Sequence, residues 1–269
     1  MDDPTLPLIE HVLDDFTLPW RSDPSPVVLL HPGLGGNTRL YRPWVPCLSD
    51  RYRVLRVTAR GQGGTSRPPW REPSLDGYAQ DVVDLLDGLG VSAVHWVGAS
   101  GGGILGQHVA ITHPERMASL SLIATTAQFR SPTENFDEWL EPLDQDDQRE
   151  FLERDTVRRF GTDDPERTRW IIDELCRTSA AESALLHRWI RTVDLVNEIS
   201  SIQCPTLIVT GEADTLTSTG DAQIMNDRIP DSRIVILPGR PHNIAYSHPW
   251  EVASAVRTFL DELQNDSSG

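Results

Sequence analysis

The sequence contains no lysine, and all 24 of its basic residues are arginine. A pyridoxal phosphate Schiff base, a Ser–Lys dyad and a Walker-type phosphate loop each require a lysine side chain. The absence of lysine therefore excludes these three kinds of site, whatever the fold.

Positive charge is scarce overall. The 24 basic residues stand against 40 acidic ones, which gives a formal net charge of −16 at pH 7. Nucleic acids and anionic membranes are bound by basic surfaces. We therefore expect neither as a partner, and we expect a small-molecule substrate instead. The composition leaves open whether two copies of the chain form a homodimer.

Cysteines and long apolar runs are also few. Cys47, Cys176 and Cys204 are odd in number, widely spaced and without CxxC spacing. This usage predicts reduced, buried thiols in a cytoplasmic protein and no metal site. No apolar run approaches the roughly 18 residues of a membrane span. The acidic start Met1–Pro4 lacks the basic and then apolar order of a secretory signal.

Short apolar, β-branched segments alternate with amphipathic segments along most of the chain. This alternation is typical of βα units around a mainly parallel sheet flanked by helices. We expect one or two antiparallel edge strands within residues 5–20 and helices near 38–49, 74–88, 102–113, 218–228 and 249–264. The strands expected in the sheet are Pro26–His31, Arg53–Thr58, Ala93–Gly98, Ala118–Ala124, Pro205–Thr210 and Arg233–Leu237.

Residues 128–198 interrupt this alternation. They contain no convincing strand and favour helices, for example over Arg149–Phe160, Pro165–Thr178 and Ala181–Val193. A helical insertion between two strands of a sheet is typical of a lid over a site. We therefore expect a core made of residues 1–127 and 199–269, with residues 128–198 as a helical cap.

The segment Val97-Gly98-Ala99-Ser100-Gly101-Gly102 carries a GxSxG pattern between an apolar strand and a helical stretch. A nucleophile elbow holds its serine on a strained turn, so the residues two before and two after must be small. Gly98 and Gly102 meet this demand. A dinucleotide-binding GxGxxG does not fit, because position 96 is tryptophan. Ser100 is the predicted nucleophile, and we expect no cofactor.

A serine nucleophile needs a base to take its proton and an acid to orient that base. Asp214 follows the apolar run 205–210, and His242 lies in the loop after the apolar run 234–237. The chain order Ser, Asp, His is one that serine hydrolases use. Glu212 is the alternative acid, but it lies nearer than Asp214 to the end of the run 205–210, where a turn residue exposed to solvent is expected. We predict a triad of Ser100, Asp214 and His242, whose rate falls as pH drops through the range in which histidine titrates.

These motifs resemble the α/β-hydrolase family, in particular capped esterases and lactonases, over about residues 25–127 and 199–264. The loop 31–36, His-Pro-Gly-Leu-Gly-Gly, is similar to the family's HGxGG loop. The loop 60–63, Arg-Gly-Gln-Gly, together with Thr65 resembles its DxRGxGxS loop, with Thr58 in place of the usual aspartate. Residues 106–107, 114–116 and 122–127 are similar to 3-oxoadipate enol-lactonase and its relatives. The resemblance implies an α/β-hydrolase fold and hydrolysis of a small carboxylic ester or lactone through an acyl-enzyme.

The resemblance also implies two backbone N–H groups that stabilise an oxyanion. Pro32 has no N–H, so the first donor is expected to be Leu34 or, alternatively, Gly33. The second is expected to be Gly101. Donors of this kind contribute about 3 kcal/mol each to transition-state stabilisation.

Three tryptophans, Trp139, Trp170 and Trp189, fall in the expected cap, each in a different helical segment. Ligand pockets are mostly apolar and aromatic, so we expect these residues to contribute to a substrate pocket; packing of the cap is the alternative role. Gly101 and Gly103 are expected to widen the floor of the pocket. Arg188 and Arg191 are candidate anchors for one substrate carboxylate.

Other functions are compatible with the same motifs. A carbon–carbon bond hydrolase of the meta-cleavage type and a perhydrolase use the same triad. A non-catalytic hydrolase-fold receptor that keeps the triad is a third alternative, which turnover dependent on Ser100 would exclude. Serine at position 100 argues against haloalkane dehalogenases and most epoxide hydrolases of this fold, which need aspartate there.

Overall fold

A computed structural model of the chain describes residues 9–17, 25–65, 72–130, 135–161 and 163–266. Within these residues seven strands form one sheet, in the order β1-β3-β2-β4-β5-β6-β7. The strands are β1 (Glu10–Asp14), β2 (Val27–His31), β3 (Arg53–Thr58), β4 (Val94–Ala99), β5 (Met117–Ile123), β6 (Thr206–Gly211) and β7 (Ser232–Leu237).

The sheet is parallel except for β1, which pairs antiparallel with β3 at one edge. β1 is the single edge strand that the described part of residues 5–20 contains; residues 5–8 and 18–20 lie outside the described residues. The other six strands begin and end within one residue of the predicted positions. The apolar, β-branched runs of the inner strands were predictable because strands within a parallel sheet are covered on both faces. The prediction of a mainly parallel sheet with an antiparallel strand at its edge is confirmed.

Helices follow most strands. They are α1 (Val45–Leu48), α2 (Leu75–Gly88), α3 (Gly101–Thr112), α4 (Phe136–Asp144), α5 (Gln148–Arg154), α6 (Thr156–Phe160), α7 (Pro165–Leu175), α8 (Ala180–Ile190), α9 (Thr219–Arg228), α10 (Ile244–Ser247) and α11 (Pro249–Asp266). The helix predicted near 38–49 is instead a 3₁₀ segment, Thr38–Trp44, followed by the single turn α1. Pro43 and Pro46 explain the difference, because proline cannot donate a hydrogen bond within a continuous α-helix.

Helices α4 to α8 form the insertion between β5 and β6. Four of them begin at a side chain that accepts a hydrogen bond from the first turn, which is the usual signal for a helix start. These capping residues are Asn135, Asp147, Asp164 and Ser179. The single helix predicted over Arg149–Phe160 is wrong: the chain forms α5 and α6, which are separated at Asp155. The carboxylate of Asp155 binds Arg158 and the indole N–H of Trp139 rather than extending a helix.

Two apolar clusters cover the two faces of the sheet. Successive side chains of a strand point to opposite faces, so Val28 and Leu30 belong to one cluster and Leu29 to the other. The first cluster continues into the insertion through residues such as Phe151. The insertion is therefore packed onto the carboxyl-end half of the sheet rather than joined to it by loops alone.

The parallel arrangement brings the loops after β2, β4, β6 and β7 to one edge of the sheet. The register pairs His31 with Gly98 and Ala99 with Ile123, so the ends of β2, β4 and β5 are level. Parallel sheets place their ligand sites at these carboxyl ends. None of the described helices has the length and apolar character needed to cross a membrane.

Candidate active site

Ser100 lies on a tight turn between β4 and α3. Its backbone has φ 48° and ψ −118°, which is an uncommon conformation for a residue with a side chain. A Cβ at Gly98 would lie 2.3 Å from the carbonyl oxygen of Gly102, and one at Gly102 would lie 2.4 Å from that of His31. Both of these oxygens belong to the backbone, so they cannot shift without disturbing the turn. The turn therefore requires glycine at both positions, as the GxSxG pattern predicted.

The turn aims the Ser100 side chain at His242. The Nε2 atom of His242 lies 3.2 Å from Ser100 Oγ, and its Nδ1 lies 2.8 Å from Asp214 Oδ2. Asp214 and His242 are buried, at 4% and 6% exposed. The structure thus brings together the three side chains of the predicted triad, from the ends of β4, β6 and β7, in the connectivity that nucleophilic catalysis uses.

Asp214 is held by its own loop as well as by His242. Its Oδ1 accepts the backbone N–H groups of Leu216 and Thr217, at 2.8 and 2.9 Å, and its Oδ2 accepts the Thr217 hydroxyl at 2.7 Å. Burial by itself raises the pKa of Asp214, but the charge and hydrogen bond of His242 and the bonds from Thr217 outweigh it and lower that pKa. The carboxylate therefore stays charged. Glu212, the rival acid, is exposed and accepts the N–H of Gly239.

The three candidate oxyanion donors, Leu34 or alternatively Gly33 and then Gly101, lie beside the serine. The Gly33 N–H donates to the Tyr246 hydroxyl at 2.9 Å. In the part of the chain that the structure describes, the N–H groups of Leu34 and Gly101 have no acceptor. A Cβ at Gly101 would lie 3.5 Å from the Leu34 nitrogen, so these two donors are close neighbours. This geometry favours Leu34 over Gly33. Gly101 also opens α3, whose N-terminal dipole favours negative charge.

A cavity opens over Ser100 and is closed from above by the insertion. The volume open to the centre of a water-sized sphere is about 60 Å³, several times the ~10–15 Å³ that one water needs. Core residues on its wall include Ser100, Gly101, His242 and Tyr246. The insertion supplies a largely aromatic and aliphatic wall that contains Trp139, Phe151, Leu152, Arg159, Leu175 and His187. The shape and lining suit a small, partly apolar ligand.

Of the three tryptophans predicted to line a pocket, Trp139 lines this cavity. Trp170 is half-buried and packs against the first apolar cluster. Trp189 packs on Tyr78, at 5.6 Å between ring centroids, and lines a smaller neighbouring cavity behind Leu34. These two tryptophans are therefore placed as packing residues.

Two further expectations about the pocket are wrong. Gly103 does not widen the floor, because its missing side chain makes room for Thr125, 2.6 Å from where a Cβ would lie. Arg188 pairs with Asp144 at the surface, at 2.7 Å, and Arg191 lies over the ring of Phe136, at 4.1 Å. Neither arginine lines the cavity over Ser100.

Sequence reasoning missed Arg159 and His187, which both line the cavity. Burial, with a smaller contribution from the charge of Arg159, lowers the pKa of His187 to about 4, so it is neutral at pH 7. Arg158 and Arg159 are adjacent in sequence, and no local pattern distinguishes the residue that turns inward. The signal that finds them is burial, which only packing decides.

The cysteines lie elsewhere. Cys47, Cys176 and Cys204 are free thiols and are partly rather than fully buried, which corrects the expectation of burial. Burial nonetheless raises the pKa of each thiol, to about 11 for Cys204. Across the described ranges, no group of three His, Cys, Asp or Glu side chains is placed to hold a metal ion.

Residues 26–171 match the family model described as the alpha/beta hydrolase fold. The pimeloyl-[acyl-carrier protein] methyl ester esterase of Aeromonas hydrophila is 30% identical, over 87% of this chain and 94% of that protein. The 3-oxoadipate enol-lactonase 1 of Acinetobacter baylyi is 24% identical, over 89% of this chain and 90% of that protein. The crystal structure of the enol-lactonase from Burkholderia xenovorans superposes with a TM-score of 0.84 at 24% identity, covering 94% of this chain and 96% of that one.

Proposed function

This chain belongs to the α/β-hydrolase family, and on that premise we propose that it is a serine hydrolase that cleaves a small carboxylic ester or lactone. The observation that carries the proposal is the hydrogen-bonded line from Ser100 through His242 to Asp214, at a strained turn beside two free backbone N–H groups. The names of two relatives, a methyl ester esterase and an enol-lactonase, support ester-bond cleavage.

In the first half-reaction, Ser100 Oγ attacks the carbonyl carbon of the ester while His242 Nε2 takes the hydroxyl proton. The tetrahedral intermediate collapses as the C–O bond to the leaving alcohol breaks and His242 returns the proton to that oxygen. A lactone follows the same path, except that the alcohol stays attached to the acyl chain. Asp214 holds the Nδ1–H tautomer of His242 and stabilises the imidazolium that forms.

In the second half-reaction, a water replaces the alcohol. His242 takes a proton from this water as the water oxygen attacks the carbonyl carbon of the acyl-enzyme. The bond to Ser100 Oγ then breaks, the carboxylic acid is released, and His242 returns the proton to Ser100. In both halves the negative charge develops on the carbonyl oxygen. The N–H groups of Leu34 and Gly101 are the donors we assign to that oxygen, each contributing about 3 kcal/mol. The bond from Gly33 to Tyr246 argues against Gly33 in this role.

We further infer that the insertion, residues 128–198, acts as a cap that limits substrate size. Its aromatic wall and the small cavity support esters with short or medium acyl groups rather than triglycerides or peptides. A cytoplasmic location is also proposed, on the basis of three unpaired cysteines.

The test is turnover of a panel of p-nitrophenyl esters and simple lactones by the wild type and by Ser100→Ala. We expect the variant to lose at least about a thousand-fold in kcat, as triad variants do, with an unchanged circular dichroism spectrum and melting temperature. Retention of more than about a tenth of the activity, far above that expectation, would exclude Ser100 as the nucleophile. Turnover itself separates an enzyme from a hydrolase-fold receptor.

A further inference from the structure

Arg159 is a buried cation on the wall of the candidate active-site cavity. It is 7% exposed, and it lines the same cavity as Ser100 and His242. Its Nε and Nη2 atoms are buried and have no hydrogen-bond partner among the described residues. A guanidinium keeps its charge in a protein, and a buried charge without a counter-ion is costly. Arg159 is therefore a cation whose counter-ion the described residues do not supply.

The unpaired atoms form one edge of the guanidinium. The Nε–H and one N–H of Nη2 point the same way, side by side, which is the geometry that donates one hydrogen bond to each oxygen of a carboxylate. Arg56 uses this same edge within this protein, donating from Nε to Asp14 Oδ2 at 2.7 Å and from Nη2 to Asp14 Oδ1 at 3.1 Å.

Three arginines are buried in the part of the chain that the structure describes, and only Arg159 has no acidic partner there. Arg56 pairs with Asp14, and Arg60 pairs with Asp81. The fold therefore matches a buried guanidinium with a carboxylate at both sites away from the cavity. At the cavity, the matching carboxylate has to come from outside the described chain.

No carboxylate among the described neighbours of Arg159 pairs with it directly. Burial lowers its pKa to about 10, although the charge of Asp155 opposes this, so the side chain is cationic at neutral pH. The oxygens of Asp155 are occupied by Arg158 and by the indole N–H of Trp139, at 2.7 Å for the indole. His187, with its pKa lowered to about 4, carries no charge at that pH.

The backbone fixes Arg159 relative to the candidate base. The Asn243 N–H donates to the Arg159 carbonyl at 2.7 Å, and the His242 N–H donates to the Arg158 carbonyl at 3.3 Å. The guanidinium carbon lies 4.6 Å from the centre of the Phe151 ring and 5.3 Å from that of Trp139. Aromatic faces attract a cation and hold its plane. The cation is thus positioned before any ligand arrives.

We propose that Arg159 binds a carboxylate of the substrate side-on, so that the preferred substrate is an ester or lactone that carries one further carboxylate. This inference rests on the proposed function, because it assigns the substrate class of the same site. It also replaces Arg188 and Arg191, the anchors expected from the sequence, with a residue that faces the reacting serine's cavity.

The experiment compares two matched substrates. One is the mono-p-nitrophenyl ester of a dicarboxylic acid of five to eight carbons, and the other is the same ester with the free carboxylate converted to a primary amide. Two charge-assisted hydrogen bonds predict that the wild type prefers the acid-ended ester by about 10- to 100-fold in kcat/KM at neutral pH. Hexanoate is likewise expected to inhibit about ten-fold more tightly than hexanamide.

Variants assign the preference to Arg159. Arg159→Met keeps the length and packing of the side chain without its charge, and we expect it to reduce the preference to about three-fold or less while the amide-ended ester is still hydrolysed. Arg159→Lys keeps the positive charge but cannot donate two parallel hydrogen bonds to one carboxylate. We expect it to retain an intermediate preference for the acid-ended ester. Arg188→Met is the matched control, since Arg188 pairs with Asp144 at the surface, and it is expected to keep the full preference.

The outcomes are distinguishable. Equal hydrolysis of both esters by the wild type, or an undiminished preference in a folded Arg159→Met, would overturn the carboxylate anchor and leave the proposed function standing. If the wild type hydrolyses no ester at all, the proposed function fails instead. The wild-type preference and the inhibition by hexanoate do not depend on how well the variants fold.

Discussion

The two walls of the cavity are built in opposite ways. On the core side, the candidate acid and base are fully hydrogen-bonded: both oxygens of Asp214 accept hydrogen bonds, and His242 is bonded through both ring nitrogens. These residues stand at the ends of buried parallel strands. On the insertion side, helices α4 to α8 present an aromatic wall with one cation, Arg159, whose Nε and Nη2 are unpaired among the described residues.

This difference suggests that the core wall carries out the reaction and that the insertion wall selects the substrate. Groups on strand ends are held by a dense set of backbone bonds and keep a geometry that proton transfer needs. Groups on packed helices are held mainly by apolar contacts, so their side chains can change without disturbing the sheet. We therefore expect substitutions on the core wall to change kcat, and substitutions on the insertion wall to change which substrate is preferred.

The largest expected effect is on the core wall. Asp214→Asn should lower kcat by about 10³- to 10⁴-fold, because the amide cannot hold the tautomer of His242 or stabilise its charged form. Glu212→Gln, two residues earlier and exposed, is the matched control and should stay within about two-fold of the wild type, as surface substitutions usually do. Steady-state kinetics on one p-nitrophenyl ester decide the assignment. The reverse result, an active Asp214→Asn with an inactive Glu212→Gln, would move the acid to Glu212.

Buried histidines on the two sides should make stability depend on pH. Burial lowers the pKa of His31 in the sheet and of His187 in the insertion to about 4, whereas an unfolded histidine titrates near 6.5. Between these values the unfolded chain binds more protons, so the free energy of unfolding falls as the pH is lowered from about 6.5 to 4 and is unaffected above that window. For the fully buried His31 the loss is about 3 kcal/mol.

Urea unfolding at several pH values across that window measures this effect. His31→Asn and His187→Asn should each flatten the decline of the unfolding free energy towards pH 4, because each removes one group that takes up a proton on unfolding. If the single variants follow the wild-type slope, these histidines are already protonated in the folded protein and the burial argument fails.

The smallest expected effect concerns the tryptophans of the insertion. Trp139→Ala should shift the preference in kcat/KM towards longer acyl groups by about ten-fold, since a buried aromatic side chain leaves the cavity wall. Trp170→Ala and Trp189→Ala should lower the melting temperature and leave the order of preference unchanged. A series of p-nitrophenyl esters from acetate to octanoate measures this, and Trp139→Phe serves as a milder variant. A shift caused by Trp170→Ala or Trp189→Ala alone would contradict the placement of the cavity.

Local patterns were sufficient for most of the fold. Apolar runs bounded by turn residues determined the six strands β2 to β7 to within one residue, since the inner strands of a parallel sheet are covered on both faces; the edge strand β7 keeps an apolar run although it is partly exposed. Gly98, Gly102 and the spacing to Asp214 and His242 pointed to one edge of the sheet, because parallel strands bring their carboxyl ends together. The helix over Arg149–Phe160 was predicted without its break at Asp155, since that break involves the contact of the Asp155 carboxylate with Trp139 of another helix.

The sequence by itself therefore determined the sheet, the elbow at Ser100 and the identity of the three polar residues that meet there. Only the tertiary structure decided which N–H groups stay free, which tryptophan faces the cavity and which of two adjacent arginines turns inward. The physical reason is the range of the interactions. The apolar pattern of a strand and the need for glycine at a tight turn are both encoded within a few neighbouring residues. The burial of Arg159, in contrast, results from the packing of α6 against the loop of His242 and against the rings of Phe151 and Trp139.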